Sequence, residues 1–329
     1  MDVFLTVDTE VWPIADGWPS KPLPADRADF TQELRGYIYG DTPAGQFGLP
    51  YQVQLLARHG LQATYFVEPL FAERAGRSHL REIVDLIQAR GQEVQLHIHT
   101  EWLGELRDAL LPSAFRQHIR QFDENEQAAI IARALDLLRI SGAKDLCAFR
   151  AGNYGASLAT LRALSRCGLR FDSSYNAAFL GSSCDMPTAH MVLQPRAMEG
   201  IVEYPVTVFS DPIGRLRHAQ LCACSFGEIK EALNKGFQAG WDCFVIVLHS
   251  FELVRNVRDP ARRKPNWVTV RRFDKLCEFL ANNRDRFSTR VFSDLPANRT
   301  PPATVNVPQR VSVRNTVWRL AEQATSRWL

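Results

Sequence analysis

Short hydrophobic runs recur along the chain, and most of them stop at an ionisable side chain. Their lengths and β-branched content predict strands at Val3–Asp8, Ala63–Glu68, Glu93–His99, Leu146–Arg150, Leu169–Asp172, Ile201–Val206, Cys243–His249 and Thr289–Phe292. Apolar residues at helical spacing lie between them, predicting helices at Leu49–His59, Ser78–Arg90, Glu124–Ile140, Leu158–Cys167, Ser225–Ala239 and Val268–Asn282. Gly60, Gly91, Gly168 and Gly240 follow these helical stretches closely, where a left-handed residue ends a helix. Strands alternating with helices predict βαβ units and a barrel-like α/β fold.

Three stretches break the rhythm. Val11–Pro50 is rich in Pro, Gly, Trp and Tyr and has little period. Its aromatics, Trp12, Trp18, Tyr37, Tyr39 and Phe47, predict an ordered flap. Pro296–Pro308 reads as a linker, so the chain divides into 1–295 and 296–329. In Val313–Leu329, Val317, Trp318, Leu320, Ala321, Ala324, Trp328 and Leu329 fall mostly on one helical face, with Arg319 and Arg327 elsewhere. This predicts an amphipathic helix docked on its own barrel or on a second subunit, or else lying on a membrane surface.

Composition narrows the class. A 329-residue chain with 46% hydrophobic residues supports a large core, and a net charge of +3 gives no concentrated basic face for nucleic acid. No run of about 18 apolar residues is present, so no transmembrane helix is expected. Seven scattered cysteines include no CxxC pair; Cys222 and Cys224 read as core thiols. Free thiols and the missing signal pattern predict a cytoplasmic protein.

The strand ends carry the chemistry. Strand one ends Asp8-Thr9-Glu10, strand three His97-Ile98-His99-Thr100-Glu101, strand four Arg150 through Gly155, strand five Asp172, and strand seven Leu248-His249. Side chains two apart on a strand share a face, so His97 pairs with His99 and Asp8 with Glu10. Barrel enzymes gather such ends at one mouth. Two histidines and a carboxylate are the ligand set of an open catalytic zinc site, leaving a position for water. A second carboxylate can serve as base and His249 as acid. Arg150 would keep the base ionised, and Asp172 would favour protonated His249. The alternatives are capping by Asp8 or Glu10, a structural Arg150–Asp172 ion pair, and a helix start at His249-Ser250.

In order and content these ends resemble the polysaccharide deacetylase family, carbohydrate esterase family four. Thr6-Val7-Asp8-Thr9-Glu10 stands where the family has Thr-Phe-Asp-Asp-Gly. Gly91 through His97 matches the lead-in to its His-(Ser/Thr)-x-x-His motif. Phe149 through Gly155 is similar to Arg-x-Pro-Tyr-Gly with one residue added, and Asp172 and Leu248-His249 stand for the last two motifs. The resemblance spans about residues 2–295. It implies a deformed (β/α) barrel of about seven strands, a divalent metal of the zinc kind, and removal of an N-acetyl group from a sugar. It implies Asp8 as base, Arg150 as its tether, Asp172 as partner of the acid His249, and a backbone N–H near Tyr154 for the oxyanion.

Two positions depart from the family. Thr9 replaces a metal-binding Asp, so Glu10 is expected to reach the metal. Glu101 occupies the second histidine's place, so His99 is expected to substitute, with Glu101 the other candidate. The Asp-x-Glu and His-x-His pattern looks like that of a subgroup linked to surface-polysaccharide and O-antigen synthesis. This implies a sugar nucleotide or lipid-linked sugar carrying an acylated amino group as substrate. Trp12, Tyr37, Tyr39, Asn153 and Glu252 are expected to bind it, with Arg255, Arg258, Arg262, Arg263 and Lys264 offering charge for a phosphate. The competing readings are hydrolysis of another small amide and a non-catalytic carbohydrate-binding barrel.

Overall fold

The computed structural model describes residues 1–106, 111–112, 115–296 and 307–328. One sheet organises it. In chain order its strands are β1 (Asp2–Thr9), β2 (Thr64–Val67), β3 (Glu93–Ile98), β4 (Ala148–Ala151), β5 (Phe171–Asp172), β6 (Arg196–Met198), β7 (Ile201–Glu203), β8 (Cys243–His249) and β9 (Ser288–Thr289). In space the order is β8-β1-β2-β3-β4-β5-β7-β6, with β9 also beside β1. Every pairing is parallel except the β6–β7 hairpin. The α/β expectation holds at this level. The expected deformed barrel of about seven strands is met as a curled, mostly parallel sheet, with β8 and β6 at the ends of its ladder.

Irregular backbone covers the β8 edge. Val247 N–H donates to the Ala219 carbonyl at 2.8 Å, and Leu221 N–H donates to the Val247 carbonyl at 3.1 Å. Thr207 Oγ1 accepts from Val245 N–H at 2.8 Å, and the Gln194 side-chain oxygen accepts from the amides of Asp242 and Cys243. The backbone groups of this buried strand are thereby satisfied without a regular neighbour.

The longer helices are α1 (Leu49–Arg58), α2 (Arg77–Gln88), α3 (Glu124–Ile140), α4 (Leu158–Arg166), α5 (Phe226–Gln238), α6 (Trp267–Ala281) and α7 (Val313–Trp328). The first six begin and end within two residues of their expected spans. Side-chain capping explains the sharpest starts: Asp123 and Glu126 close a capping box on α3, and Ser225 and Glu228 close one on α5.

Strand alternation sorts the core into two parts. Val3, Leu5 and Val7 join the large cluster under the helices. Phe4, Phe66, Phe171, Tyr204, Val245 and Phe292 form a separate cluster on the concave side. Ring contacts such as Phe4–Phe292 at 5.0 Å and Phe171–Tyr204 at 5.8 Å make it an aromatic plug. Thr6 and Asp8 continue the concave face of Phe4, and His249 continues that of Val245. The plug is the floor on which the polar strand ends stand.

The 11–50 insertion is packed as the expected flap. It contains a short helical turn at Thr31–Glu33, a π turn at Leu34–Ile38 and two-residue strands at Asp41–Thr42 and Gly45–Gln46. Phe30, Leu34 and Ile38 are buried, and Trp18 packs on Trp102 at 5.1 Å. Most of the expected linker at 296–308 lies outside the described residues, as does Leu329.

The C-terminal helix docks on its own chain, one of the expected placements, but through its polar side and not its apolar stripe. Val313, Val317, Trp318 and Leu320 are exposed. The polar side docks instead: Arg319 Nε donates to Glu228 Oε1 at 3.1 Å, Asn315 Nδ2 to Glu231 at 2.7 Å, and Arg272 to Glu322 at 2.7 Å. The cause lies on α5, where Glu228 is fully buried and requires a charged partner. Replacing Arg319 by Ala is expected to free α7 and leave the sheet folded. The local loss is roughly 3 kcal/mol, enough to speed tryptic cleavage at Arg314 about a hundredfold. Unchanged digestion would show that the pair does not hold the helix.

Candidate active site

Parallel register brings the strand ends together. Asp8 on β1 lies opposite His249 on β8, and His97 on β3 lies opposite Arg150 on β4. All four point to the concave side; hydrogen bonds tie His97 to Arg150 and Arg150 to Asp8, while His249 Nε2 stands 4.0 Å from Asp8 Oδ2.

Arg150 is the most constrained of them. It is completely buried and stacks over the Phe66 ring at 4.5 Å. Its Nη1 donates to Asp8 Oδ1 and to Thr6 Oγ1, both at 2.8 Å. Nε donates to the Ser173 carbonyl at 3.0 Å and Nη2 to Ser173 Oγ at 2.9 Å. Its backbone carbonyl accepts from His97 Nδ1 at 2.7 Å. That bond fixes the His97 tautomer and turns Nε2 toward the cavity.

His99 is oriented in the same way by another group. Its Nδ1 lies 3.2 Å from Glu101 Oε2, and Asn153 Nδ2 donates to the other Glu101 oxygen at 3.1 Å. Glu101 thus sits behind the imidazole. Glu10 sits in front: its Oε1 is 3.3 Å from His97 Nε2 and 3.2 Å from His99 Nε2. Trp12 Nε1 donates to Glu10 Oε2 at 2.5 Å, and its ring meets His99 edge-on at 4.5 Å. Thr9 is directed away, its hydroxyl bonded to the Val7 carbonyl. Strand alternation therefore puts Glu10, and not Thr9, on the concave side.

These contacts decide whether a metal fits. The ligand atoms of Glu10, His97 and His99 lie within 4.8 Å of one another. Both histidines present Nε2 to the same carboxylate oxygen, with Nδ1 held from behind. Two imidazole nitrogens and one carboxylate oxygen match an open zinc site and its outer supports. Asp8, Glu10 and His249 form a second group at the same spacing, sharing Glu10. There the Arg150 guanidinium already engages one Asp8 oxygen, which makes the first group the better cation cradle.

Electrostatics agree with a crowded, buried centre. Burial alone would favour protonated Glu10, but His99, His97 and His249 outweigh it and hold the carboxyl well below its ordinary range. Burial opposes charge on His249, yet Glu252, Glu10 and Asp8 together push it up to about 9. Glu252 Oε1 lies 2.7 Å from His249 Nδ1, leaving Nε2 4.0 Å from Asp8 Oδ2. Glu68, beside the cluster, is pushed up to about 8 mainly by burial, although it accepts from the amides of Leu70 and Phe71.

Three expected placements need correction. Asp172 does not meet His249. Phe171 belongs to the concave aromatic cluster, so the next residue points to the opposite side. There Asp172 accepts from Ser174 Oγ at 2.6 Å and faces Glu203 across the β5–β7 register. Burial and this second carboxyl raise the proton affinity of the pair. Glu252, expected to touch substrate, occupies the position behind His249 instead. Tyr39 turns out of the site and bonds Glu82 on α2.

The remaining residues line a cavity of about 400 Å³. Asp8, Glu10, His97, His99 and His249 form one side, and Asn153, Tyr154 and Phe179 another. Tyr154 stacks on Phe179 at 5.5 Å. Tyr37 lines a neighbouring cavity with Trp12 and Trp18. Sequence reasoning missed Gln220, His218, His118 and Phe179. They come from loops and elements too short to show a period: His218 ends a three-residue strand (Leu216–His218), Phe179 ends a 3-10 turn (Ala177–Phe179), and Gln220, which donates to Glu252, is carried in by the backbone that covers β8.

Gly152 is required by proximity. A Cβ there would lie 2.7 Å from both His99 Nδ1 and the Ile98 carbonyl.

No protein-family model matches the chain, and none of the curated proteins matches it. Several solved structures align with most of the chain at low identity. A protein assigned as a polysaccharide deacetylase from Mycobacterium smegmatis is 16% identical, with 88% of this chain and 93% of that one covered and a TM-score of 0.47. A family 4 carbohydrate esterase from Streptomyces lividans is 14% identical, with coverage of 93% and 97% and a TM-score of 0.39. A 4-alpha-glucanotransferase from Thermococcus litoralis is 10% identical, with coverage of 92% and 39% and a TM-score of 0.47. At such identities the chemistry has to be read from this chain's own residues.

Replacing Gly152 by Ala is expected to displace His99 and weaken zinc binding about 10- to 100-fold, as loss of outer-ligand support does elsewhere. Competition with a chromophoric chelator measures this, and an unchanged affinity would refute the packing argument.

Proposed function

We propose that the chain is a metal-dependent hydrolase that removes an N-acyl group, in the first instance N-acetyl, from an amino sugar. The observation that carries this reading is one cavity holding a two-histidine, one-carboxylate cradle beside an Asp–Arg pair and a histidine backed by glutamate. The motif order read from the sequence supports the same chemistry. The substrate class we infer is a sugar nucleotide or lipid-linked sugar of surface-polysaccharide synthesis, handled in the cytoplasm. The metal would be divalent, and the nitrogen-rich donor set favours zinc.

Glu10, His97 and His99 would hold the ion. When bound, it supplies Lewis acidity toward the amide carbonyl and makes water acidic enough to attack near neutral pH. The other residues handle protons. Asp8, held by Arg150 through one oxygen, keeps Oδ2 for the proton of the attacking water. His249, charged through its bond to Glu252, donates from Nε2 to the departing nitrogen. Water adds to the acyl carbon, the C–N bond breaks, and the products are a carboxylate and an amine. Tyr154 and Asn153 close the opposite wall, and Asn153 also steadies Glu101 and through it His99.

The direct test is release of acetate from N-acetylated amino sugars and their nucleotide derivatives. Chelation is expected to abolish it and zinc to restore it. His97→Ala and His99→Ala are expected to lose metal. His249→Ala is expected to retain metal and lose about 10²- to 10⁴-fold in kcat, the usual contribution of a general acid. Release that survives exhaustive chelation would overturn the reading.

The pH profile tests the Glu252 assignment. His249 must be protonated to act, so activity falls as pH rises through its raised pKa of about 9. Glu252→Gln removes the strongest partner favouring the charged form. The alkaline limb is then expected to move to lower pH by about one unit or more. A limb that stays in place would return the supporting role to another group.

A further inference from the structure

A second cavity of about 320 Å³ adjoins the first and shares Trp12 and Gln117 with it. Both fall within or above the lower end of the roughly 300–1,000 Å³ typical of small-molecule sites. The insertion builds most of the second one: Trp12, Pro13, Trp18, Pro19 and Tyr37 line it, with Arg258 contributed by the loop after β8. Trp18 is fixed by its ring contact with Trp12 at 5.6 Å and by donation from Nε1 to Glu105 at 3.0 Å. Tyr37 is fixed edge-on against Phe251 at 5.2 Å. These rings present rigid flat faces with polar edges, a surface that suits the apolar C–H face of a pyranose and its hydroxyl rim. Arg258 is exposed and makes no ion pair among the described residues, so its charge is available to a ligand.

We infer that this cavity is a second substrate subsite, taking an anionic unit joined to the acylated amino sugar. The indoles and Tyr37 would meet its ring, and Arg258 its phosphate or carboxylate. Trp12 is the shared wall. Its indole N–H engages Glu10 while its ring borders the subsite, and Glu101, which backs His99, lines the subsite too, so occupancy bears on the metal cradle through two side chains. This inference rests on the proposed hydrolase reading for which sugar sits in the first cavity, but it can be tested without turnover.

The experiment is equilibrium binding to the metal-free full-length chain, followed by tryptophan fluorescence. Three probes are used: N-acetylglucosamine, a disaccharide of N-acetylglucosamine and glucuronic acid, and UDP-N-acetylglucosamine. One or both anionic probes are expected to bind at least about tenfold more tightly than the neutral sugar, and which one does so identifies the anion. Arg258→Glu is expected to remove that advantage, about tenfold or more, the scale of a hydrogen bond to a charged group. Binding of the neutral sugar should stay within about twofold. Trp18→Leu, accepted only if its circular dichroism matches the parent, is expected to weaken the two-unit probes selectively. Equal affinity for all three probes, or Arg258→Glu affecting none of them, would overturn the subsite. Absence of acetate release with the binding pattern intact would instead overturn the hydrolase reading and leave the subsite standing.

Discussion

The buried guanidinium of Arg150 is the interaction on which the site depends. Its side chain positions Asp8 and ties β4 to β1, and its own carbonyl positions His97. One residue thus sets both the group assigned to take a proton and a group assigned to hold the metal. A fully buried arginine is costly unless each donor is engaged and its charge is opposed. Here Asp8 supplies the charge, Thr6 and Ser173 accept from three further N–H groups, and Phe66 covers one face. A shortened or neutral side chain at this position would leave Asp8 charged and unpaired above an aromatic floor.

Strand alternation carries that local arrangement to the rest of the cavity. The concave side is apolar at its base, from Phe4 to Phe292, and polar at its rim. Each strand that crosses the floor delivers its next same-side residue to the rim. The register then aligns the rims, with Asp8 beside His249 and His97 beside Arg150. The glutamates add a third layer. Glu101 and Glu252 each stand behind a histidine and set its orientation, so the functional ring nitrogens face inward without depending on a bound ligand.

Much of this was legible in the sequence, for a physical reason. Periodicity reports which side chains share a face, and it located the helices, the strands and the pairs Asp8–Glu10 and His97–His99. The same alternation separates the two residues of β5. Phe171 and Asp172 cannot both face the plug, and the apolar member takes that side. What periodicity does not report is the path of irregular backbone. The support of His249 by Glu252, the approach of Gln220 and Phe179, and the outward turn of Tyr39 all arise from loops. The C-terminal helix docks on its own chain as expected, but its docking face was not legible for a different reason. Its apolar stripe suggested a buried face, but buried Glu228 on α5 demanded the arginine side.

The central claim is that Glu10, His97 and His99 form one cation cradle. Anomalous diffraction at the zinc edge, from crystals equilibrated with zinc, tests it most directly. The account requires a single strong peak with His97 and His99 Nε2 at about 2.0–2.1 Å and a Glu10 oxygen at about 2.0–2.2 Å. A peak held instead by Asp8 and His249, or no peak in the cavity, would contradict it.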